Sequence, residues 1–148
     1  MIKENLNLVG TLSVVLRDSN GNLKDERKVY NIVVNTGLAF IASRMKDATA
    51  TAMSHMAVGS VNTAAAAGDT ALGGELGRVS LTSTTVTNNS VAYVGDFGAG
   101  TGTGAVVEAG IFNAASGGDM LCHTVFDVVN KAADDTLQIT WTITINAA

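Results

Sequence analysis

The strongest constraint in this sequence is the strict alternation of apolar and polar residues in the segment TLQITWTITI. A period of two places successive side chains on opposite faces of a β-strand. The apolar side chains share one face, and these are Leu137, Ile139, Trp141, Ile143 and Ile145. The other face carries Gln138, Thr140, Thr142 and Thr144. The segment therefore predicts a strand with one face in a core and one polar face.

The same alternation recurs along the chain between turns rich in Gly, Asn and Asp. LNLVGTLSVVLR and RKVYNIVV flank an Asn-Gly turn and predict a first hairpin. RVSLTSTTVT and SVAYVGDF, joined by Asn88 and Asn89, predict a second hairpin. AVVEAGIFNA and MLCHTVFDVV, joined by SGGD, predict a third, and HMAVGS predicts one more short strand.

One short segment has helical spacing instead. After VVNTG the apolar residues follow a helical period, with Asn35 or Thr36 as the candidate N-cap, and these residues are Leu38, Ile41, Ala42 and Met45. Residues 61–78 predict a long surface loop with at most one helical turn. About seven or eight strands and one helix predict an all-β fold, an antiparallel β-sandwich of jelly-roll or Ig-like type, with a barrel as the alternative. We expect one domain, residues 1–148.

Composition excludes several classes of function. The net charge is −4 and the nine Lys and Arg are scattered, so we expect no nucleic-acid partner. No apolar run approaches the ~20 residues that span a bilayer, and the start MIKENLNLVG does not have the layout of a signal peptide. We therefore expect no membrane partner and synthesis in a cytoplasm. The single cysteine, Cys122, excludes an internal disulfide.

Two adjacent residues, Cys122 and His123, are the reactive types in the third hairpin. On a strand they point to opposite faces, so they cannot form a nucleophile and base pair with each other. We interpret Cys122 as a small buried hydrophobe and His123 as a solvent or interface residue. No catalytic residue is predicted, and we expect the protein not to be an enzyme.

Cofactor sites are not predicted either. The only other histidine is His55, and two histidines without helical spacing support a metal site weakly. The alternative is an oxygen-ligated ion in a loop that contains an acid, and the candidate acids are Asp69, Asp119, Asp134 and Asp135. The string GAGTGTG lacks the dinucleotide-binding fingerprint and predicts a hairpin loop.

Glu108 is the acid that most needs a partner. It alternates with apolar and small residues on the strand from 105 to 113, so we expect it to face a partly apolar layer. Arg78 begins a neighbouring predicted strand. The hypothesis is a structural ion pair between Arg78 and Glu108, because an uncompensated buried carboxylate is costly.

Association with other copies of the chain is a further prediction. An all-β chain without proline or disulfides has few means of protecting its sheet edges, so closed association is expected. The row Thr140, Thr142 and Thr144 offers a flat, uncharged face for self-association. We predict a homotrimer, with a dimer or a monomer as the alternatives.

Residues 54–145 resemble a group of small virion structural proteins of tailed bacteriophages. The resemblance rests on a short AVG strand, then DTAL followed by an acid and an arginine, then EAGIFN and the final TWTITI strand. Related patterns occur in capsid cement or decoration proteins and in tail or neck fibre proteins. In the fibre relatives the segment is usually one module of a longer chain.

The resemblance implies a non-enzymatic capsid cement or decoration protein without a cofactor. Such a protein binds the outer surface of the virion capsid, with the major capsid protein as its partner, and cross-links neighbouring subunits. The alternative is a tail, neck or baseplate fibre component involved in attachment to the host. One departure is that the strand pattern begins after about five residues, whereas many cement proteins carry a long N-terminal arm.

Overall fold

The computed structural model describes residues 5–47 and 49–147 of the chain. These residues form nine strands and one helix, in the order β1 Leu6–Arg17, β2 Leu23–Val33, α1 Asn35–Arg44, β3 His55–Gly59, β4 Glu75–Ser80, β5 Ser83–Thr87, β6 Ser90–Phe97, β7 Gly104–Phe112, β8 Met120–Lys131 and β9 Thr136–Ala147. Residues 1–4, which are four of the five residues before the predicted first strand, lie outside the described part.

All nine strands belong to one antiparallel sheet with the order β4-β3-β7-β8-β2-β1-β9-β6-β5. The sheet curls, so that side chains from both of its halves meet in one core. Trp141 from β9 and Ile111 from β7 are both fully buried in this core. The all-β prediction is confirmed, whereas a sandwich of two separate sheets is not.

The strand number differs from the predicted seven or eight because the segment RVSLTSTTVT forms parts of two strands. Between them, the Leu81 N–H donates to the carbonyl of Ser54, and the Thr82 N–H donates to the carbonyl of Val94. These two bonds hold the short segment between β4 and β5, where the chain passes from the β3 side of the sheet to the β6 side. The alternation of apolar and polar residues is therefore continuous in the sequence, although the strand pairing is interrupted between Ser80 and Ser83.

The predicted hairpins form where the turn residues allow a left-handed backbone. Gly21 in the β1–β2 turn has a φ of 82°, and Asn88 in the β5–β6 turn has a φ of 53°. Gly and Asn adopt this region more readily than other residues. The turn SGGD joins β7 to β8, as predicted.

Helix α1 is confirmed, but its predicted N-cap is wrong. The cap position is Val34, which provides no side-chain hydrogen bond. The Thr36 hydroxyl instead donates to the carbonyl of Met120 at 2.7 Å, and the Asn35 N–H donates to the carbonyl of Ala67 at 2.8 Å. The start of the helix is therefore held by β8 and by the loop before β4, rather than by its own side chains.

The alternation in β9 is confirmed by burial. Leu137, Ile139 and Trp141 are at most 1% exposed. On the outer face Gln138 is exposed, and Thr140, Thr142 and Thr144 are half-buried. The Trp141 ring N–H donates to the Oδ1 atom of Asn31 at 2.8 Å, which provides a partner for its polar atom. β9 lies between β1 and β6, so it is a central strand.

Candidate functional site

A loop lies across the outer side of β3, β7 and β8. We call residues 60–74 the strap; they contain bends and turns but no helical turn, so the optional helical turn predicted there does not form. Leu72 of the strap packs against a second small core made of Val34, Ala57, Phe112 and Met120. Part of the sheet is therefore covered on both faces.

Glu108 anchors both ends of the strap. Its side chain is 1% exposed, and its carboxylate accepts three backbone N–H groups. Oε2 accepts from Val61 at 3.0 Å and from Gly74 at 2.9 Å, while Oε1 accepts from Gly73 at 2.9 Å. Backbone donors at both ends of one loop thus converge on one buried carboxylate.

His123 links Glu108 to a second acid. Its Nε2 atom lies 3.0 Å from Oε1 of Glu108, and its Nδ1 atom lies 2.7 Å from Oδ2 of Asp69 on the strap. The Ala66 N–H also donates to Asp69, at 2.8 Å. This bond, assisted by the hydrogen bond and charge of His123, lowers the pKa of Asp69 against the opposing effect of burial. We call Asp69, His123 and Glu108 the buried triad.

A small cavity of about 190 Å³ adjoins the buried triad. All three members of the triad line it, together with Val61, Thr63, Ala64, Ala71 and Gly73 from the strap. Both ring nitrogens of His123 already face carboxylates. The arrangement can therefore hold the strap on the sheet, but it does not direct a free histidine nitrogen at a substrate.

The predicted ion pair between Arg78 and Glu108 does not form. The Arg78 Nη2 atom lies 2.7 Å from Oε1 of Glu75, and Nη1 donates to the carbonyls of Ala114 and Gly117, each at 2.9 Å. The guanidinium also lies 3.9 Å from the ring centroid of Phe112. Arg78 therefore braces the β7–β8 turn, because that turn offers carbonyl oxygens and an aromatic face to a planar donor.

The interpretation of the Cys122 and His123 pair is half right. The two side chains do point to opposite sides, since Cys122 lies in the main core and His123 lies under the strap. His123 is 4% exposed, so its interpretation as a solvent or interface residue is wrong. Burial raises the pKa of the Cys122 thiol well above its usual value, which opposes thiolate chemistry.

The other candidate residues are dispersed over the fold. The His55 Nδ1 atom lies 2.7 Å from the hydroxyl of Ser54. The Asp119 N–H donates to Oδ1 of Asn113, and Asp135 accepts from Lys24 at 2.6 Å. Asp134 is exposed between β8 and β9. Among the residues that the structure describes, no three His, Cys, Asp or Glu side chains are grouped to hold a metal ion.

The outer face of the opposite half of the sheet has a different character. Three registered rows cross β1, β9, β6 and β5, and we call them the hydroxyl face. The rows are Val9, Thr144, Ser90 and Thr87; Thr11, Thr142, Ala92 and Thr85; and Ser13, Thr140, Val94 and Ser83. The face contains only Ser, Thr, Ala and Val, and it includes the predicted self-association residues.

Sequence reasoning identified Glu108 but missed its real partners. Asp69 appeared only as a possible ion ligand, and the backbone donors of the strap have no sequence signal. His123 did have one, because the β7–β8 hairpin register places it opposite Gly110, two residues along the strand from Glu108. Residues with that spacing share a face.

Comparison with protein-family models, with curated proteins and with solved structures finds no match to this chain. Within the described residues, no helix has the length and apolar character needed to cross a membrane.

Proposed function

We propose that this protein is a structural component of a bacteriophage virion, a cement or decoration protein that binds the outer capsid surface and links neighbouring subunits of the major capsid protein. The proposal joins the sequence resemblance over residues 54–145 to the surface properties of the fold. It assigns no catalytic residue and no cofactor. Its action is binding alone, and a protein that binds only the assembled shell stabilises that shell by mass action.

The hydroxyl face is the observation that carries the proposal. It spans four hydrogen-bonded strands, and its three rows contain no charged residue. The next row on the same side, Val15, Gln138 and Asp96, places one carboxylate at its margin. The Ser90 and Thr144 hydroxyls already bond to each other at 2.9 Å, so part of the polar surface is satisfied within the face. Burying such a surface against another subunit desolvates no ion, and charged residues are depleted from the centres of protein interfaces.

Self-association is the second part of the proposal. The edge strand β5 is exposed along all five of its residues and carries no charge. An uncharged edge strand favours pairing with another chain. We propose a homotrimer that uses the hydroxyl face, with Thr140, Thr142 and Thr144 at its centre, and that presents three equal surfaces at a local three-fold axis of the shell.

The decisive experiment is to add the purified protein to expanded shells that lack it. A saturable rise in the temperature of shell disruption, with three copies bound at each local three-fold site, is the expected result. A gel of purified virions should show on the order of hundreds of copies, as repeated point-group symmetry requires. A few dozen copies with retention on host cells would instead favour a tail, neck or baseplate fibre.

A pair of variants separates the interface from the fold. Thr142→Arg places a charge at the middle of the hydroxyl face, whereas Thr103→Arg places the same charge on the exposed loop between β6 and β7. We expect Thr142→Arg alone to reduce the sedimentation coefficient to that of a monomer. Equal sedimentation of both variants and the parent protein would contradict the proposed interface.

A further inference from the structure

The surroundings of His123 restrict its charge. Both ring nitrogens face carboxylate oxygens, at 3.0 Å for Glu108 and 2.7 Å for Asp69. A neutral imidazole has one donor and one acceptor nitrogen, whereas an ionised carboxylate only accepts. A neutral ring would therefore hold a nitrogen lone pair against one of the two carboxylates.

The hydrogen bonds of Glu108 favour its ionised form. Three backbone N–H groups donate to it, from Gly73 to Oε1 and from Val61 and Gly74 to Oε2. Hydrogen bonds of this kind stabilise the charged form of a carboxyl group. An ionised carboxylate only accepts, which favours hydrogen on the Nε2 atom of His123, 3.0 Å from Oε1.

The position of Asp69 likewise favours hydrogen on the second ring nitrogen of His123, Nδ1. Its Oδ2 atom accepts the Ala66 N–H at 2.8 Å and faces the Nδ1 atom of His123 at 2.7 Å. The lowered pKa of Asp69 keeps its carboxyl group ionised at neutral pH. An ionised Asp69 can only accept, so Nδ1 also carries hydrogen.

We propose that His123 is an imidazolium whose two N–H groups fasten the strap, and that the strap detaches without this cation and uncovers the apolar surface beneath Leu72. The uncovered surface consists of Val34, Ala57, Phe112 and Met120. This mechanism depends on the buried triad and not on the proposed place of the protein in a virion.

The other ionisable groups around the triad do not replace either carboxylate. β7 contributes Glu108 and the strap contributes Asp69. β2 places Ile32 in register with His123, and its Tyr30 lines a surface pocket together with His123. On β4, the guanidinium of Arg78 binds Glu75 and the β7–β8 turn.

Nitrogen NMR of the imidazole rings tests the charge of His123 directly in the unmodified protein. At pH 7 we expect both ring nitrogens of His123 to carry hydrogen. His55 is the internal control, because its ring nitrogens face the hydroxyls of Ser54 and Ser80, which can donate or accept. An unprotonated nitrogen on His123 at pH 7 would overturn the proposal.

Amide hydrogen exchange tests the release of the strap. His123→Gln keeps one side-chain donor but removes the positive charge. In this variant at pH 7 we expect protection of the Val61, Gly73 and Gly74 amides to fall at least about tenfold. The Asn35 amide, which donates to Ala67 of the strap, should lose protection with them.

The control amides are those of the sheet, such as the amide of Ile139 in β9, which is paired with Val14 of β1. Their protection should be unchanged in the variant, which separates release of the strap from unfolding. Strap amides that keep their parental protection would refute the fastening role. Equal loss in the strap and the sheet would also refute it, because the histidine would then stabilise the whole fold rather than the strap.

Discussion

β8 and β9 are both strands of twelve residues within one antiparallel sheet, yet only β9 keeps a polar outer face along its length. In β8 the five consecutive residues from Met120 to Thr124 are all buried. The strap covers this part of β8 from the outside, and the main core covers it from the inside. Alternation in a sequence therefore indicates one covered face, and its loss indicates two.

The main core and the layer between β8 and the strap also differ in chemistry. The core behind β9 is apolar, and the one polar atom of Trp141 finds Asn31. The layer between β8 and the strap contains an imidazole and two carboxylates. The stability of an apolar layer increases with the apolar surface area that it buries. The strap layer depends instead on hydrogen bonds to charged groups. Each of these is stronger than a neutral hydrogen bond, but removing one partner leaves the other buried without compensation.

The largest expected effect comes from truncating β9 on its buried face. Trp141→Ala should lower the free energy of unfolding by about 4 kcal/mol, because it leaves a cavity at the centre of the main core. The neighbour Thr142→Ala, on the outer face, should change it by no more than about 0.5 kcal/mol in the monomer. Urea titration of both variants measures the difference. Similar losses of unfolding free energy in the two variants would mean that both faces of β9 are buried.

The strap layer should show the next largest effect. Glu108→Ala should lower the free energy of unfolding by about 3 kcal/mol, because it leaves three buried backbone N–H groups without an acceptor and removes one of the two carboxylates beside His123. Glu26→Ala, on the exposed side of β2, is the matched control and should stay within about 0.5 kcal/mol. Equal effects in urea titration would place Glu108 in solvent.

Arg78→Ala should have a smaller effect than Glu108→Ala. The variant loses two bonds to turn carbonyls and the stacking on Phe112, so we expect a loss of about 1 to 2 kcal/mol in unfolding free energy. Arg17→Ala is the control, since Arg17 is exposed and binds only one turn carbonyl at 3.2 Å. A loss as large as that of Glu108→Ala would restore the idea that Arg78 compensates Glu108.

These contrasts show what the sequence could and could not predict. Strands, hairpins and the helix follow from local periodicity and turn residues, because both depend on neighbours in sequence. The partner of Glu108 does not, because the strap donors lie 34 to 47 residues away and are backbone atoms without side-chain signals. The N-cap of α1 failed for the same reason, since Thr36 bonds to Met120 rather than to its own helix.

The smallest expected effect is pH-dependent and concerns the outer member of the buried triad. The Ala66 N–H and His123 lower the pKa of Asp69, so the ionised form stabilises the fold. That contribution is complete above the pKa of about 3.9 that Asp has in unfolded chains, and it is lost as the pH falls through the lower pKa of the folded state.

Asp69→Asn should therefore lower the free energy of unfolding by about 1 kcal/mol at pH 7, a modest value because Asp69 is 28% exposed. The gap between Asp69→Asn and the parent protein should narrow in urea titrations below about pH 4. Asp127→Asn, at an exposed position of β8, is the control and should change the free energy of unfolding by no more than about 0.5 kcal/mol at pH 7. A gap for Asp69→Asn that stays constant from pH 7 to pH 3 would mean that the charge of Asp69 does not contribute to holding the strap.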